Sequence, residues 1–219
     1  MALPSIPDYA LPTDLPAPRA SFTLETDRAA LLIHDMQRYF CAAFGPDALS
    51  RAGSTLARVT QNIAALAQAA RAAGVPVFYT AQKGNQLLAD RGLQADLWGK
   101  GMNAIPEHED IIAALAPQPG DIQLVKHRYS AFQRSNLAEL MRARGRDQLI
   151  VTGIYAHIGC LATVCEAFQR DIEPFFVADA LADFSREKHD MALAWVAACA
   201  GVPMASDAVR TTLGDAACN

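Results

Sequence analysis

In this 219-residue chain the residue types suited to acid–base chemistry fall at the ends of short apolar runs. The run Ala29–Ile33 gives way to His34, Asp35, Met36 and Gln37, and Val75–Thr80 leads into Ala81 and Gln82. Ile122–Val125 leads into Lys126, His127, Arg128, Tyr129 and Ser130. Gln148–Thr152 leads through Gly153, Ile154, Tyr155, Ala156, His157 and Ile158 to Gly159, and Phe175–Ala178 leads to Asp179 and then Asp183. An acid, an amine, an amide and phenols are therefore offered side by side, which is material for moving a proton and for holding a polar substrate. One polar strand end is ordinary in any α/β protein. Four ends carrying chemically different groups are less so, although the site rather than the fold must identify the chemistry.

The elements that would position these groups alternate along the chain. Ala29–Ile33 is continuously apolar, as expected of a strand covered on both faces. Ser54–Ala73 places Leu56, Val59, Ile63, Leu66 and Ala70 three and four apart and stops at Gly74, which predicts an amphipathic helix. Val75–Thr80 is a second strand, followed by a polar stretch with Gly84, Gly92, Gly99, Gly101 and Pro106, and by a helix near His108–Leu115. Ile122–Val125 is a third strand, Ser135–Arg144 a helix closed by Gly145, and Gln148–Thr152 a fourth strand before a helix from about Gly159 to Arg170. Phe175–Ala178, a helix over Glu187–Ala200 and Val202–Ala205 complete the series, leaving Asp207–Asn219 as an irregular tail or short helix. Repeated strand–helix alternation predicts a three-layer α/β/α, Rossmann-like fold with a six-stranded parallel sheet. Ligands of such folds bind outside the carboxyl ends of the strands, where the polar residues collect.

Composition narrows the function classes. With 52% apolar and 19% charged residues the chain suits one well-packed core, and a net charge of −4 offers no basic surface for nucleic acid. No apolar run approaches the ~20 residues that cross a bilayer, and no basic-then-apolar leader opens the sequence, so cytoplasm is the expected compartment. Five cysteines (Cys41, Cys160, Cys165, Cys199 and Cys218) form no C-x-x-C pair, and with His they make no zinc-ligand spacing, so reduced thiols and no metal are expected. Residues 1–25 hold five prolines and no periodicity, and read as an extended N-terminal arm; residues 26–219 read as a single domain.

The segments LLIHDMQRYF, YTAQ, RGLQADLWGKGM, KHRYSAF, TGIYAHIGC and FFVADALADFS, in this order over nearly the whole chain, resemble the isochorismatase family. That family is related to cysteine hydrolases such as nicotinamidases, which use an Asp, a Lys and a nucleophilic Cys at the start of the helix after the fourth strand. By resemblance Asp35 and Lys126 match the first two, while the third position falls on Gly159, so no covalent acyl-enzyme is expected. The resemblance also implies a cis peptide at Ile154–Tyr155, a homodimer or higher homo-oligomer, and no cofactor. A carrier domain found in some members is not expected, because the chain stops about 15 residues after its last strand.

Family members cleave the enolpyruvyl vinyl ether of isochorismate to pyruvate and a dihydrodiol. A vinyl ether needs one acid that protonates its terminal carbon, giving an oxocarbenium ion that water attacks. Asp35 is the expected acid, although Lys126 would lower its pKa while burial and a dianionic substrate would raise it. Arg91 is expected to fork onto a substrate carboxylate. Gln82, Tyr155 and the Gly159 backbone N–H would add hydrogen bonds, and Phe40, Trp98 and Tyr129 would form apolar walls. His157 reads as a hydrogen-bonded scaffold residue. Cys160, about 100° further round the helix than position 159, should point away from the site. Three positions depart from the family pattern: His127, Lys83 and Lys100, of which the first two are expected to border the pocket. Two other readings compete, a thiol amidase using Cys160 with Asp35 and Lys126, and a non-catalytic binding member of the family.

Overall fold

Five apolar residues and the buried His34 make up the first strand, β1 (Ala29–His34), which has no solvent face and forms the centre of the sheet. A computed structural model describes residues 3–216. After β1 come the short α1 (Arg38–Cys41), the long α2 (Thr55–Ala72) and β2 (Val77–Ala81). Three short helices follow, α3 (Leu88–Arg91), α4 (Leu93–Trp98) and α5 (Pro106–Glu109), before β3 (Ile122–Val125) and α6 (Leu137–Arg142). The second half runs β4 (Gln148–Ile154), a π-helical turn (Ala156–Cys160), α7 (Leu161–Gln169), β5 (Glu173–Ala182), α8 (Arg186–Cys199), β6 (Val202–Met204) and α9 (Ser206–Ala216). All six strands are parallel, in the order β3-β2-β1-β4-β5-β6. The sequence direction therefore reverses between β1 and β4, the place where such sheets open a crevice.

Alternation along the strands fills the two layers. Leu31, Ile33, Val77, Tyr79, Ile150 and Phe175 pack with α2 and α9 on one face, whereas Ala30, Leu32, Phe78, Val151 and Phe176 pack with α6, α7 and α8 on the other. Each such fully buried Leu, Ile, Val or Phe contributes roughly 1.5–3 kcal/mol. Helix α2 starts where Ser54 Oγ accepts from Ala57 N at 3.1 Å, and the chain leaves it at Gly74, φ +69°.

Three local expectations change. The helix expected near His108–Leu115 is instead one turn of α5 and a 3₁₀ turn at Ala113–Leu115. Between them Gln37 and Ile111 form an antiparallel bridge and Ile112 N donates to Met36 O at 3.0 Å, so tertiary pairing displaces the helix. The polar glycine-rich stretch carries α3 and α4; of the tail expected to be irregular or a short helix, the described part is the helix α9, which buries Val209 and Leu213, and residues 217–219 lie outside the described residues. Strand β5 continues past Ala178 to Ala182, because Asp179 is satisfied within the fold by Ser206 and Asn62. Residues 3–25 contain no helix or strand and are tied down by hydrogen bonds from Ile6 N to Ala43 O, Tyr9 N to Thr55 Oγ1 and Arg19 N to Ala197 O, each 2.8 Å. Among the described residues no helix is long and apolar enough to cross a membrane.

Candidate active site

Parallel register places His34 of β1 beside Thr80 of β2 and Gly153 of β4, so the residue after β1 emerges at the topological switch. That residue is Asp35, held at φ +50°, a left-handed conformation that costs a non-glycine residue about 1–2 kcal/mol. Its amide donates back to Thr80 O at 3.2 Å, which turns the carboxyl into the crevice. There Lys126 Nζ, carried in just after β3, donates to Asp35 Oδ2 at 2.8 Å, and Thr80 Oγ1 donates to Oδ1 at 2.7 Å. Gln82 Nε2 lies 3.4 Å from Oδ2. The Gln82 backbone is itself clamped by Gln37, whose Oε1 accepts from Gln82 N at 2.7 Å and whose Nε2 donates to Gln82 O at 2.8 Å.

Burial would raise the Asp35 carboxyl, but the Lys126 ammonium, His34 and the donated hydrogen bonds outweigh it and hold it below the usual carboxylate range. The resting site is thus a buried carboxylate–ammonium pair. His34 is wholly buried beside it, and burial pushes its imidazole below the ordinary range, towards the neutral form.

A cavity of about 670 Å³, open solvent at its mouth included, lies over this pair. It is lined by Asp35, Lys126, Gln82, Arg91 and Gly159, and by the rings of Tyr39, Phe40, Trp98, Tyr129, Tyr155 and Phe184. Arg91 reaches it from the end of α3. Its guanidinium lies against Gly101 (φ +77°), where a Cβ would stand 2.8 Å from Cζ and oblige the guanidinium to move. Arg91 Nε donates to Gly99 O at 3.0 Å; among the described residues no carboxylate pairs with the guanidinium, and none hydrogen-bonds its two terminal nitrogens. A buried, unpaired cation lining a cavity is a site for an anion.

The expected site residues are thereby gathered into one cavity, with one change of role. Tyr155 lines the cavity with its ring, but its hydroxyl donates to Phe40 O at 2.7 Å, so it is a wall and not a free donor. Trp98 Nε1 donates to Tyr129 OH at 2.6 Å, fixing two walls against each other. His157 lies outside the cavity, bonded to the buried Asp183. Lys83 and His127, expected to border the pocket, do not line it; Lys83 is exposed and pairs with Glu109 at 3.6 Å. The Ile154–Tyr155 peptide is cis. Sequence reasoning assigned no role to Thr80, His34 or Phe184; the first two are partners across β1 and β2, a relation that register alone turns into contact.

Cys160 is fully buried among Leu32, Ala156, Val164 and Phe176, and burial pushes its thiol well above the ordinary range. A protonated thiol outside the cavity is not a nucleophile. Among the described residues no three His, Cys, Asp or Glu side chains gather as a metal site.

Switch-point placement, a buried Asp–Lys pair and a glycine in the π-helical turn before α7 define a hydrolase site in an α/β fold without a thiol. Residues 29–208 match the family model described as the isochorismatase domain, and the chain belongs to the isochorismatase family. It is 49% identical to the isochorismatase of Bacillus subtilis (strain 168), over 99% of this chain and 68% of that protein. It is also 49% identical to phenazine biosynthesis protein PhzD of Pseudomonas fluorescens, over 94% of this chain and 98% of that one. Among solved structures, a cysteine hydrolase from Pseudomonas syringae pv. phaseolicola superposes with a TM-score of 0.80 at 27% identity, covering 92% of this chain and 98% of that one.

Proposed function

We propose that this protein hydrolyses the enolpyruvyl vinyl ether of isochorismate, or of 2-amino-2-deoxyisochorismate, to pyruvate and the corresponding dihydro ring product, in siderophore- or phenazine-type metabolism. The observation that carries the reading is the buried Asp35–Lys126 pair facing a side-chain-free Gly159, with the unpaired guanidinium of Arg91 across the cavity. In this reading Asp35 is the acid and Arg91 the anion site, while the position of a thiol nucleophile is taken by Gly159, which has no side chain to attack with.

Arg91 takes one carboxylate of the substrate, and the second lies in the field of Lys126. Two negative charges brought into a closed cavity raise the Asp35 carboxyl and favour its protonated form. Protonated Asp35 then delivers its proton to the terminal methylene carbon, the vinyl π pair forming the new C–H bond. Water adds to the resulting oxocarbenium carbon, and the hemiketal collapses by breaking the bond to the ring oxygen, which leaves with a proton. Lys126 stabilises the carboxylate left on Asp35. The enzyme works in the cytoplasm as a homo-oligomer in this reading.

Pyruvate release measured side by side on the two substrates tests the proposal and ranks them; release from neither would sink it. Arg91→Ala should raise KM about 10–100-fold, the worth of a charge-assisted hydrogen-bonded pair, with a smaller effect on kcat. Iodoacetamide and Cys160→Ala should leave pyruvate release within about twofold, since Cys160 lies outside the cavity. Inactivation that tracks alkylation of Cys160 would restore the amidase reading.

A further inference from the structure

His34 is a buried titratable group at the site that the steps above do not use. Its ring is held between two carbonyls: Nδ1 is 2.8 Å from Ile154 O, where β4 ends, and Nε2 is 3.3 Å from Tyr129 O in the loop after β3, and the single N–H of a neutral imidazole donates to one of them, the shorter contact being that to Ile154 O. The edge of the ring lies against Gly159. A Cβ on residue 159 would stand 3.2 Å from Nδ1, 2.8 Å from Nε2 and closer still to Cε1, which no real side chain tolerates unless something shifts. Moving the ring is costly. The ring is enclosed, turning it would break the contact to Ile154 O, and its own backbone is fixed on both sides by β2 and β4.

We propose that His34 and Gly159 act as one chemistry-determining pair: the imidazole occupies the room that any side chain on residue 159 would need, so it is His34 that bars a nucleophilic thiol from this cavity. The glycine is then the consequence of the histidine as much as its companion. Without the ring, a thiol at 159 would face the same Asp35–Lys126 pair, and the neighbouring ammonium would favour its thiolate. The proposal deepens the vinyl-ether reading and rests on it for the claim that acid chemistry is what the pair protects.

Four variants test it: Gly159→Cys and Gly159→Ala alone, and each combined with His34→Ala. The readouts are the thermal midpoint and the rate of iodoacetamide alkylation of residue 159 at pH 7, followed by mass on its own peptide so that native thiols do not interfere. Both single glycine variants should melt well below the parent. Adding His34→Ala should raise the midpoint again, and the thiol of the double variant should alkylate at least tenfold faster than that of Gly159→Cys alone. The proposal is overturned if Gly159→Cys alone melts like the parent and reacts as fast as the double variant. It is equally overturned if His34→Ala only adds to the loss, unfolding of the doubles included. Neither readout needs substrate, so a parent enzyme that released no pyruvate would refute the assigned reaction without deciding this test.

Discussion

Replacing Asp35 by asparagine should lower kcat by about 10²–10⁴-fold, the range that a positioned general acid contributes, while KM changes by less than about tenfold. Asparagine tolerates the left-handed backbone at φ +50° and can still accept from Thr80, so the crevice keeps its shape. What it cannot do is give a proton to carbon. In the parent enzyme the pH dependence should carry the signature of the same group. Asp35 is held below the usual carboxylate range before substrate binds, so its protonated fraction falls about tenfold per pH unit across the neutral region, and kcat/KM should fall with it. The fall in kcat should come at higher pH, since the bound dianion raises the carboxyl. Steady-state kinetics from pH 5 to 8 checks both; a kcat/KM flat over that range would count against Asp35 as the acid.

The second large effect belongs to Lys126→Met. Removing the ammonium leaves a buried carboxylate with no cation at 2.8 Å, and the loss of one partner of a buried pair costs about 3–5 kcal/mol of stability at neutral pH. Burial then dominates, and the Asp35 carboxyl rises above its unfolded value instead of lying below it. The sign of the pH dependence follows. In the parent, the contribution of Asp35 is present above the unfolded carboxylate pKa and is lost as pH falls through the depressed folded value. In the variant, stability is retained at low pH and lost as pH rises through the raised folded value. The deficit relative to the parent should therefore shrink between pH 8 and pH 5, as read by denaturant unfolding, and the descending limb of kcat/KM should move to higher pH. A double change, Asp35→Asn with Lys126→Met, should be more stable than Lys126→Met alone, because no unpaired charge remains buried.

Much of this was legible because the chemistry sits where strand patterns end. The apolar runs at 29–33 and 122–125 become β1 and β3 with their polar followers Asp35 and Lys126 in place. Their partner Thr80 was less visible, since a threonine at a strand end is ordinary until parallel register sets it against β1. Tyr155 illustrates the opposite limit: residue type announced a donor, but the fold turned its hydroxyl to Phe40 O. The region from 106 to 115 misled because helix propensity is local, whereas the bridge from Gln37 to Ile111 joins residues 74 apart. The steric relation of His34 to Gly159 spans β1 and the turn after β4, and no periodicity encodes it.

In the proposed reaction carbon is protonated and no enzyme nucleophile attacks. Turnover of isochorismate in D₂O enriched in ¹⁸O, with both products read by mass spectrometry, tests it most directly. Protonation of the vinyl carbon followed by water attack on the adjacent oxocarbenium carbon predicts one deuterium in the methyl group of pyruvate and no ¹⁸O in the hydroxyls of the ring product. Pyruvate with an undeuterated methyl group, or ¹⁸O carried on the ring, would contradict the account.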